Sequence, residues 1–327
     1  MCRSSSLRLP LVLALVGCRQ PSEATAVGPQ AAADAEVGGR LEARTAGEAT
    51  LDGARAADPA AATVSAPSAT PVVSQVLAWR PVAGGVDYGT LRLPPTPAGG
   101  DGLLHVVRVS PGAARLRLFA ISGAGGEAKT ARAWCDAERQ LAVINAGMFE
   151  ADARTHSGYL RIGAHVNNDA RPKSYKAALL FDPRRPGLPP FQLVDVNPAV
   201  PDLRWESYDS VSQNLRLIRG EGRGAWKENG RRWSEAAVAQ DRQGRLLLLF
   251  TRTPFSMAEL NLRLLHSPLD IVRAMHVEGG PEASLSVRGD GISLDLAGSF
   301  ATGFTDNDDN AGQWPLPNVL GVGPAGG

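Results

Sequence analysis

Short hydrophobic runs, several of them alternating with polar residues, follow one another along the chain after Trp79. Gly and Pro bound these runs, a pattern that is typical of paired β-strands. The predicted strands are residues 103–109, 115–121, 141–145, 177–181, 191–196, 236–240, 246–251 and 271–277. Asp241-Arg242-Gln243-Gly244 joins two of these runs, so residues 236–251 are predicted to form a hairpin.

Helical periodicity is limited to two segments. Residues 127–138 place apolar side chains on one face, which predicts an amphipathic helix with Cys135 as a buried small hydrophobe. Ser256 and Glu259 have the spacing of a capping box, and the apolar face that follows ends at Pro268. Strands and helices do not alternate regularly. We therefore predict an α+β fold, a single domain with mixed or antiparallel β-sheets and a few helices.

The N-terminus has the pattern of a secretory signal. Arg3 and Arg8 precede an apolar run, which ends in Leu15-Val16-Gly17-Cys18 and resembles the bacterial lipobox. Residues 1–17 are therefore predicted to be a lipoprotein signal peptide, with Cys18 as the lipidated residue that attaches the protein to a membrane. The alternative is an ordinary signal peptide in which the cysteine is incidental. Because Arg19 rather than Asp follows, the expected location is the bacterial cell envelope, at the outer membrane.

Residues 18–75 differ in composition from the rest of the chain. They are rich in Ala and Pro and contain no aromatic residue. Such a segment cannot bury enough apolar area to offset the entropy of ordering it. We therefore predict a disordered tether, followed by a folded domain at residues 76–327.

Charge and cysteine content exclude several classes of protein. The chain has 34 Lys and Arg against 33 Asp and Glu and no basic block, so nucleic acid is not an expected partner. Three cysteines without a CxxC pair support neither a disulfide framework nor a zinc finger. GxSxG, HExxH and Walker motifs are absent from the sequence, and no GxGxxG stands between a predicted strand and a predicted helix. The chemistry is therefore expected from polar and glycine clusters at strand ends.

The first such cluster follows the predicted strand 141–145. It reads Asn145-Ala146-Gly147-Met148-Phe149 and leads into a polar loop that carries His156. An Asn side chain both donates and accepts hydrogen bonds, and Gly147 lets the backbone approach a ligand closely. His156 is the histidine that we expect to contact a substrate. The alternative is a plain strand-ending turn.

The second cluster follows the predicted strand 271–277. Glu278 stands where an apolar strand meets Gly279 and Gly280, which presents a carboxylate beside free backbone donors. Glu282 is the competing carboxylate and is expected to be exposed. His276 alternates with apolar neighbours and is either a core residue or directed toward Glu278. The alternative is again a turn, with Glu278 as a solvated charge.

Taken in order, these motifs resemble the phosphodiester glycosidase family. The resemblance runs from the Asn145 cluster through the hairpin and the capped helix to the Glu278 cluster and Pro317-Asn318-Val319-Leu320-Gly321-Val322, and it covers residues 103–322. The family commonly has Asn-Gly-Gly-Tyr/Phe-Phe at the first cluster, where this chain has Ala146 as its second residue. It commonly has Asp-Gly-Gly-Gly-Ser at the second, where this chain has Glu278 and two additional residues before Ser284.

The resemblance implies hydrolysis of a sugar-1-phosphodiester at the anomeric carbon. The implied substrate is an N-acetylglucosamine-type sugar of an envelope or exopolysaccharide glycan. Glu278 is expected to act as base or nucleophile, while Asn145 orients a sugar hydroxyl or acetamide. The expected substrate contacts are Gly147, His156, Gly279, Gly280 and Ser284, together with Arg252 and Arg232 on the phosphate.

Two other functions stay open on the sequence alone. The changes around Glu278 are compatible with a catalytically silent relative that binds glycan or helps to assemble exopolysaccharide. A hydrolase of a different ester is also compatible, because a strand-end carboxylate does not fix the bond that is cleaved.

No cofactor is expected, and calcium is the one metal that the sequence brings into question. Asp306 and Asp308 belong to the run Asp-Asn-Asp-Asp-Asn, which spaces oxygen ligands along a loop. The run lacks the Gly and the distal Glu of a calcium loop, so a solvated turn is the competing interpretation.

Overall fold

The described part of the computed structural model consists of residues 77–93, 98–197, 202 and 204–325. The predicted signal peptide, the lipidated Cys18 and the predicted tether lie outside the described residues. Among the helices of the described residues, none has the length and apolar character needed to cross a membrane.

The described residues form seventeen strands and three helices. The strands are β1 Arg80–Ala83, β2 Val86–Arg92, β3 Leu103–Val109, β4 Ala114–Ala120, β5 Ala142–Asn145, β6 Leu160–Ile162, β7 His165–Asn168, β8 Ala177–Pro183, β9 Phe191–Asp195, β10 Tyr208–Arg219, β11 Arg223–Gly224, β12 Trp233–Asp241, β13 Leu246–Phe255, β14 Ile271–Gly279, β15 Ser284–Gly289, β16 Ile292–Ala297 and β17 Asn318–Pro324. The helices are α1 Ile121–Ala124, α2 Ala131–Ala137 and α3 Met257–Leu265, and 3₁₀ turns lie at Trp205–Ser207 and Gly280–Glu282.

The strands form two sheets in which every pair of neighbours is antiparallel. The larger sheet has twelve strands, with β13, β12, β14 and β10 side by side near its centre. The smaller sheet has five strands in the order β16-β15-β5-β17-β4. The prediction of antiparallel sheets with few helices is therefore confirmed.

The main core lies between the two sheets. Ile144 and Leu285 from the smaller sheet pack with Leu179, Leu248 and Met275 from the larger one. Fully burying one such side chain stabilises the fold by about 1.5–3 kcal/mol. This packing holds the ends of β5 and β14 in fixed positions, and both predicted clusters begin at those ends.

Two helices cover the outer faces of the sheets. Helix α3 packs Leu260 and Leu264 against the larger sheet, and its capping box of Ser256 and Glu259 is present as predicted. Helix α2 packs Trp134 and Cys135 against the smaller sheet. It begins after Thr130, whose side chain accepts a hydrogen bond from the Ala133 backbone, rather than at residue 127 as predicted.

Most predicted strands are present, and the hairpin is confirmed by the pairing of β12 with β13. The longest strand, β10, was not predicted. Its central residues are Ser210, Ser212, Gln213 and Asn214, which are buried although they are polar, so the usual alternation with apolar residues is absent. The predicted strand 115–121 ends at Ala120, where helix α1 begins.

Candidate active site

The end of strand β14 is the centre of the candidate site. Strand β12 lies beside it, with Ala236 opposite Glu278 and Glu235 opposite Gly279. The register shifts between Ala236 and Ala237, which indicates a local irregularity at this end of the pair. Such irregularities change the direction in which the neighbouring side chains point, and here they lie next to a carboxyl group.

Glu278 is buried with one carboxylate oxygen unpartnered. The residue is 3% exposed. Its Oε1 accepts a hydrogen bond of 3.1 Å from the Gly279 backbone N–H, and its Oε2 has no hydrogen-bond partner. Burial raises the pKa of Glu278 well above its ordinary value, and the charge of Glu282 raises it further. Burial therefore favours the protonated form of Glu278, which suits a proton donor better than the base or nucleophile predicted from the family.

Glu282 is half-buried, so the expectation of an exposed side chain is wrong. It ends the 3₁₀ turn Gly280–Glu282, whose other two residues, Gly280 and Pro281, are buried. Gly280 has φ +68°, and a Cβ there would lie 2.9 Å from the Ala301 Cβ, so this turn requires glycine. Burial raises the pKa of Glu282 to about 7. The two carboxyl groups therefore titrate as a pair, in which Glu278 is the more deeply buried member.

Asn145 joins the two predicted clusters. Its Oδ1 accepts a hydrogen bond of 2.8 Å from the Ser284 backbone N–H, and its Nδ2 donates to the Glu282 carbonyl over 3.0 Å. The Ser284 hydroxyl donates to the same carbonyl. Both ends of the Asn145 amide are therefore used to hold the turn that carries Glu282, and a sugar contact would have to replace one of these bonds.

A buried Glu–His pair next to Glu278 was missed in the sequence. His276 Nδ1 lies 2.8 and 2.9 Å from the two carboxylate oxygens of Glu235, and the Trp233 indole N–H donates to Glu235 over 2.7 Å. Burial raises the pKa of Glu235, and His276 partly offsets this rise. His276 is thus both a core residue and part of the site, and the single Glu within the apolar strand β12 was the available signal.

His156 packs beside Gly147 of the Asn145 cluster. It is fully buried, its Nδ1 accepts a hydrogen bond of 2.9 Å from the Gly158 backbone, and its Nε2 is unpartnered. A Cβ on Gly147 would lie 2.2 Å from both His156 Nε2 and Asn214 Oδ1. These two buried polar atoms therefore occupy the space beside Gly147, and burial lowers the pKa of His156.

Tyr175 is a second residue that sequence reasoning missed. Its side chain packs with Met148 and Leu215, next to the Asn145 cluster. Burial raises the pKa of its phenol, and the charge of Glu278 adds to the rise. Tyr175 therefore lies close enough to Glu278 for their charges to interact, although no local motif marks it in the sequence.

The two arginines that were expected to bind the phosphate form ion pairs within the fold instead. Arg252 Nε donates to the Asp308 carboxylate over 2.6 Å, and its other nitrogens donate to the carbonyls of Ala297, Asp308 and Asn310. Arg232 forms an ion pair with Glu259 at the start of helix α3. Both guanidinium groups thus support the fold in this structure.

The calcium candidate is explained by the same contacts. Asp308 accepts hydrogen bonds from Arg252 and from the Gly100 backbone, and Asp306 accepts one from Gly303. Across the residues that the structure describes, no group of three His, Cys, Asp or Glu side chains could hold a metal ion. The acidic loop is therefore paired with an arginine through Asp308.

Two clefts lie elsewhere on the surface, along β4, β8 and β10. Their volumes are about 260 and 400 Å³, and both are lined by Arg115, Leu116 and Asp182. Neither includes a residue of the two clusters. We place the candidate site at Glu278 because a buried, unpartnered carboxylate oxygen points to chemistry, whereas no residue that lines these two clefts has such an atom.

The fold and the site together define a two-sheet antiparallel domain with carboxyl groups at the end of a central strand. A family model described as phosphodiester glycosidase matches residues 138–323, which is more than half of the chain and includes both clusters. The chain belongs to the phosphodiester glycosidase family.

Solved structures with a similar fold have low sequence identity to this chain. A hypothetical protein from Synechocystis is 14% identical with a TM-score of 0.51, and the match covers 73% of this chain and 62% of that protein, less than two thirds of its length. The catalytic domain of zebrafish N-acetylglucosamine-1-phosphodiester alpha-N-acetylglucosaminidase is 12% identical with a TM-score of 0.48, over 77% and 88% of the two chains. A putative exported protein from Burkholderia pseudomallei is 12% identical with a TM-score of 0.37, over 68% and 74%. Comparison with curated proteins gives no match. The Synechocystis protein supports the fold alone.

Proposed function

We propose that this protein is a glycosidase-type hydrolase that cleaves a sugar-1-phosphodiester at the anomeric carbon, with Glu278 and Glu282 as its catalytic carboxyl groups. The observation that carries the proposal is the buried Glu278 with its unpartnered Oε2, in a chain of the phosphodiester glycosidase family. Family membership supports N-acetylglucosamine as the sugar. The proposed substrate is a glycan of the cell envelope or an exopolysaccharide.

The two carboxyl groups have different environments, which suits different roles. Glu282 is half-buried and ionises near neutral pH, so it can take a proton from the water that attacks the anomeric carbon. Burial favours the protonated form of Glu278, which can face an anionic phosphate as a hydrogen-bond donor without repelling it. A phosphate leaving group is weakly basic and needs little protonation, so the base contributes most to this reaction.

The proposal is tested with the full chain and N-acetylglucosamine-1-phosphodiesters, a nucleotide sugar among them, by measuring free sugar. We expect the wild type to release sugar at a rate that rises through pH 7, the value to which burial brings the pKa of Glu282. Glu282→Gln should lose about 100-fold or more of kcat. Glu221→Gln, which changes an exposed carboxylate paired with Arg223, is the matched control and should behave as the wild type. Full activity of Glu282→Gln, or no release by the wild type, would contradict the proposal.

We further propose that the protein is secreted and held at the outer membrane by a lipid on Cys18. The lipobox-like Leu15-Val16-Gly17-Cys18 supports this location. Growth with labelled palmitate should mark the wild type and not Cys18→Ala. Labelling of both forms, or of neither, would remove Cys18 as the anchor.

A catalytically silent glycan-binding protein is the second candidate. The engagement of Arg252 with Asp308 favours it, because a guanidinium group that was expected on the phosphate is bound within the fold. Calorimetric binding of the phosphodiester without sugar release would select this function. Sugar release that Glu282→Gln lacks would exclude it.

A further inference from the structure

The electrostatic character of the site differs from what a phosphate requires. Burial raises the pKa values of Glu278 and Glu282, and the charges of Glu282 and Glu235 raise that of Glu278 further. The two arginines that were expected on the phosphate are bound instead to Asp308 and Glu259. Phosphate recognition normally relies on such cations. A site rich in carboxyl groups is better suited to a leaving group that carries no negative charge.

A pair of carboxyl groups in different environments is the arrangement that cleaves bonds to alcohols. An alkoxide is a poor leaving group, so one carboxyl group must protonate the leaving oxygen while the other takes a proton from the attacking water. Glu278 is deeply buried and Glu282 is half-buried on an adjoining turn, which separates their affinities for a proton. The pair therefore provides an acid that a phosphodiester does not need.

An exposed pair of aromatic side chains lies next to this turn. Phe304 and Trp314 are 46% and 39% exposed, and their ring centroids are 6.2 Å apart at an interplanar angle of 77°. Asn310 links Trp314 to the site: its Oδ1 accepts a hydrogen bond from the Trp314 indole over 3.3 Å, and its Nδ2 donates to the carbonyl of Pro281, the neighbour of Glu282. Exposed aromatic rings of this kind bind the C–H faces of sugar rings.

We propose that the site also cleaves an O-glycosidic bond between two sugars, with Glu278 as proton donor, Glu282 as base, and the leaving sugar resting on Phe304 and Trp314. This inference rests on the proposed function and extends its substrate class from phosphodiesters to glycans joined through an alcohol oxygen. The aromatic pair explains why the leaving group is a sugar rather than a small alcohol.

The reaction balances without a further reagent. The bond between the anomeric carbon and the leaving oxygen breaks, its electron pair goes to that oxygen, and the oxygen takes the proton of Glu278. The oxygen of a water molecule bonds to the anomeric carbon, and the proton of that water goes to Glu282. Return of one proton from Glu282 to Glu278 through solvent restores the starting state.

The test compares leaving groups in the full chain and in Glu278→Gln. The probes are phenyl and nitrophenyl N-acetylglucosaminides in both anomeric forms, together with the methyl phosphodiester of N-acetylglucosamine. We expect Glu278→Gln to lose about 100-fold or more on the phenyl glycoside, and less than about tenfold on the phosphodiester. It should lose much less on the nitrophenyl glycoside, because nitrophenolate leaves without a proton. A purely structural role for Glu278 would lower all three rates equally and would overturn the inference.

The pH profile supplies a second readout. Titratable groups facing the pair are Glu235 and His276, which are hydrogen-bonded to each other, and Tyr175. The kcat for phenyl glycoside cleavage should rise as Glu282 ionises and fall again at higher pH as Glu278 loses its proton. The kcat for phosphodiester cleavage should lack most of this fall, and the ionised Glu278 should instead raise the KM for the phosphodiester, because it repels the phosphate. Identical profiles for the two substrates would contradict the roles assigned here.

The aromatic pair is tested with the double variant Phe304→Ala and Trp314→Ala. We expect KM for a disaccharide of N-acetylglucosamine to rise about tenfold, with little change for the methyl phosphodiester, whose leaving group has no ring. Leu262→Ala removes an exposed hydrophobic side chain on helix α3 and is the matched control. Cleavage of the phosphodiester without any cleavage of glycosides would overturn this inference and leave the proposed function intact. Cleavage of neither would refute both.

Discussion

Asn145→Ala tests whether this residue positions the catalytic turn. The substitution removes the acceptor for the buried Ser284 N–H and the donor to the Glu282 carbonyl. An orphaned buried N–H costs about 1–3 kcal/mol, and the loss at the carbonyl, which keeps its bond from the Ser284 hydroxyl, adds about 1 kcal/mol. We therefore expect the free energy of unfolding to fall by about 2–4 kcal/mol.

Urea unfolding followed by tryptophan fluorescence measures this loss, and Asn261→Ala is the matched control. Asn261 is equally buried and donates to the Leu217 carbonyl over 2.7 Å, but it lies on helix α3 away from the carboxyl groups. Both variants should lose stability, and Asn145→Ala alone should also lose kcat at a temperature where both remain folded. A change below about 0.5 kcal/mol for Asn145→Ala would refute the reasoning, because surface substitutions produce changes of that size.

Three further predictions concern the surroundings of the site. Gly147→Ala places a Cβ 2.2 Å from His156 Nε2 and Asn214 Oδ1, so thermal unfolding should show a loss of about 1–3 kcal/mol, and an unchanged midpoint would contradict the packing. The pKa of Glu282 is about 7 in the folded protein and has its ordinary value of 4.5 in the unfolded chain, so the folded state binds the proton more tightly. The fold therefore loses up to about 3 kcal/mol of stability as the pH rises from 4.5 through about 7. Urea unfolding should therefore show a free energy of unfolding that falls between those pH values, and the fall should be smaller in Glu282→Gln. Arg252→Gln breaks the ion pair with Asp308 and should raise KM for a disaccharide by loosening the loop that carries the aromatic pair, whereas a KM rise confined to phosphodiesters would indicate a phosphate contact instead.

The parts of the fold that alternate or run apolar were predictable from the sequence. Strands β3, β12 and β13 and the capped helix α3 follow simple patterns, because each buries one face or lies fully in the core. Strand β10 does not, since its buried Ser and Asn side chains are satisfied by contacts from distant parts of the chain. Asn214, for example, donates to the carbonyl of Ala146, 68 residues away. A local pattern contains no trace of such a partner.

The motifs of the candidate site were predictable from the sequence, but the hydrogen bonds and packing contacts that join them were not. Asn145 and Glu278 were recognised separately, but the bonds that join Asn145 to the turn after Glu278 span about half of the domain and depend on the pairing of β5 with β15. Glu235 precedes an apolar run and Tyr175 stands between Ser174 and Lys176, and no motif surrounds either residue. Their relation to Glu278 comes from strand order and packing, which a one-dimensional pattern does not contain.

The departure from the family pattern at the second cluster explains the second carboxyl group. In the common motif the Ser follows the glycines directly, whereas here two additional residues stand before Ser284. Those residues let the chain form the 3₁₀ turn Gly280–Glu282, and Asn145 holds that turn at its carbonyl. The insertion thus places Glu282 where its charge acts on Glu278. A change that weakens the resemblance to a phosphodiester glycosidase is therefore the same change that supplies the acid–base pair needed for a sugar leaving group.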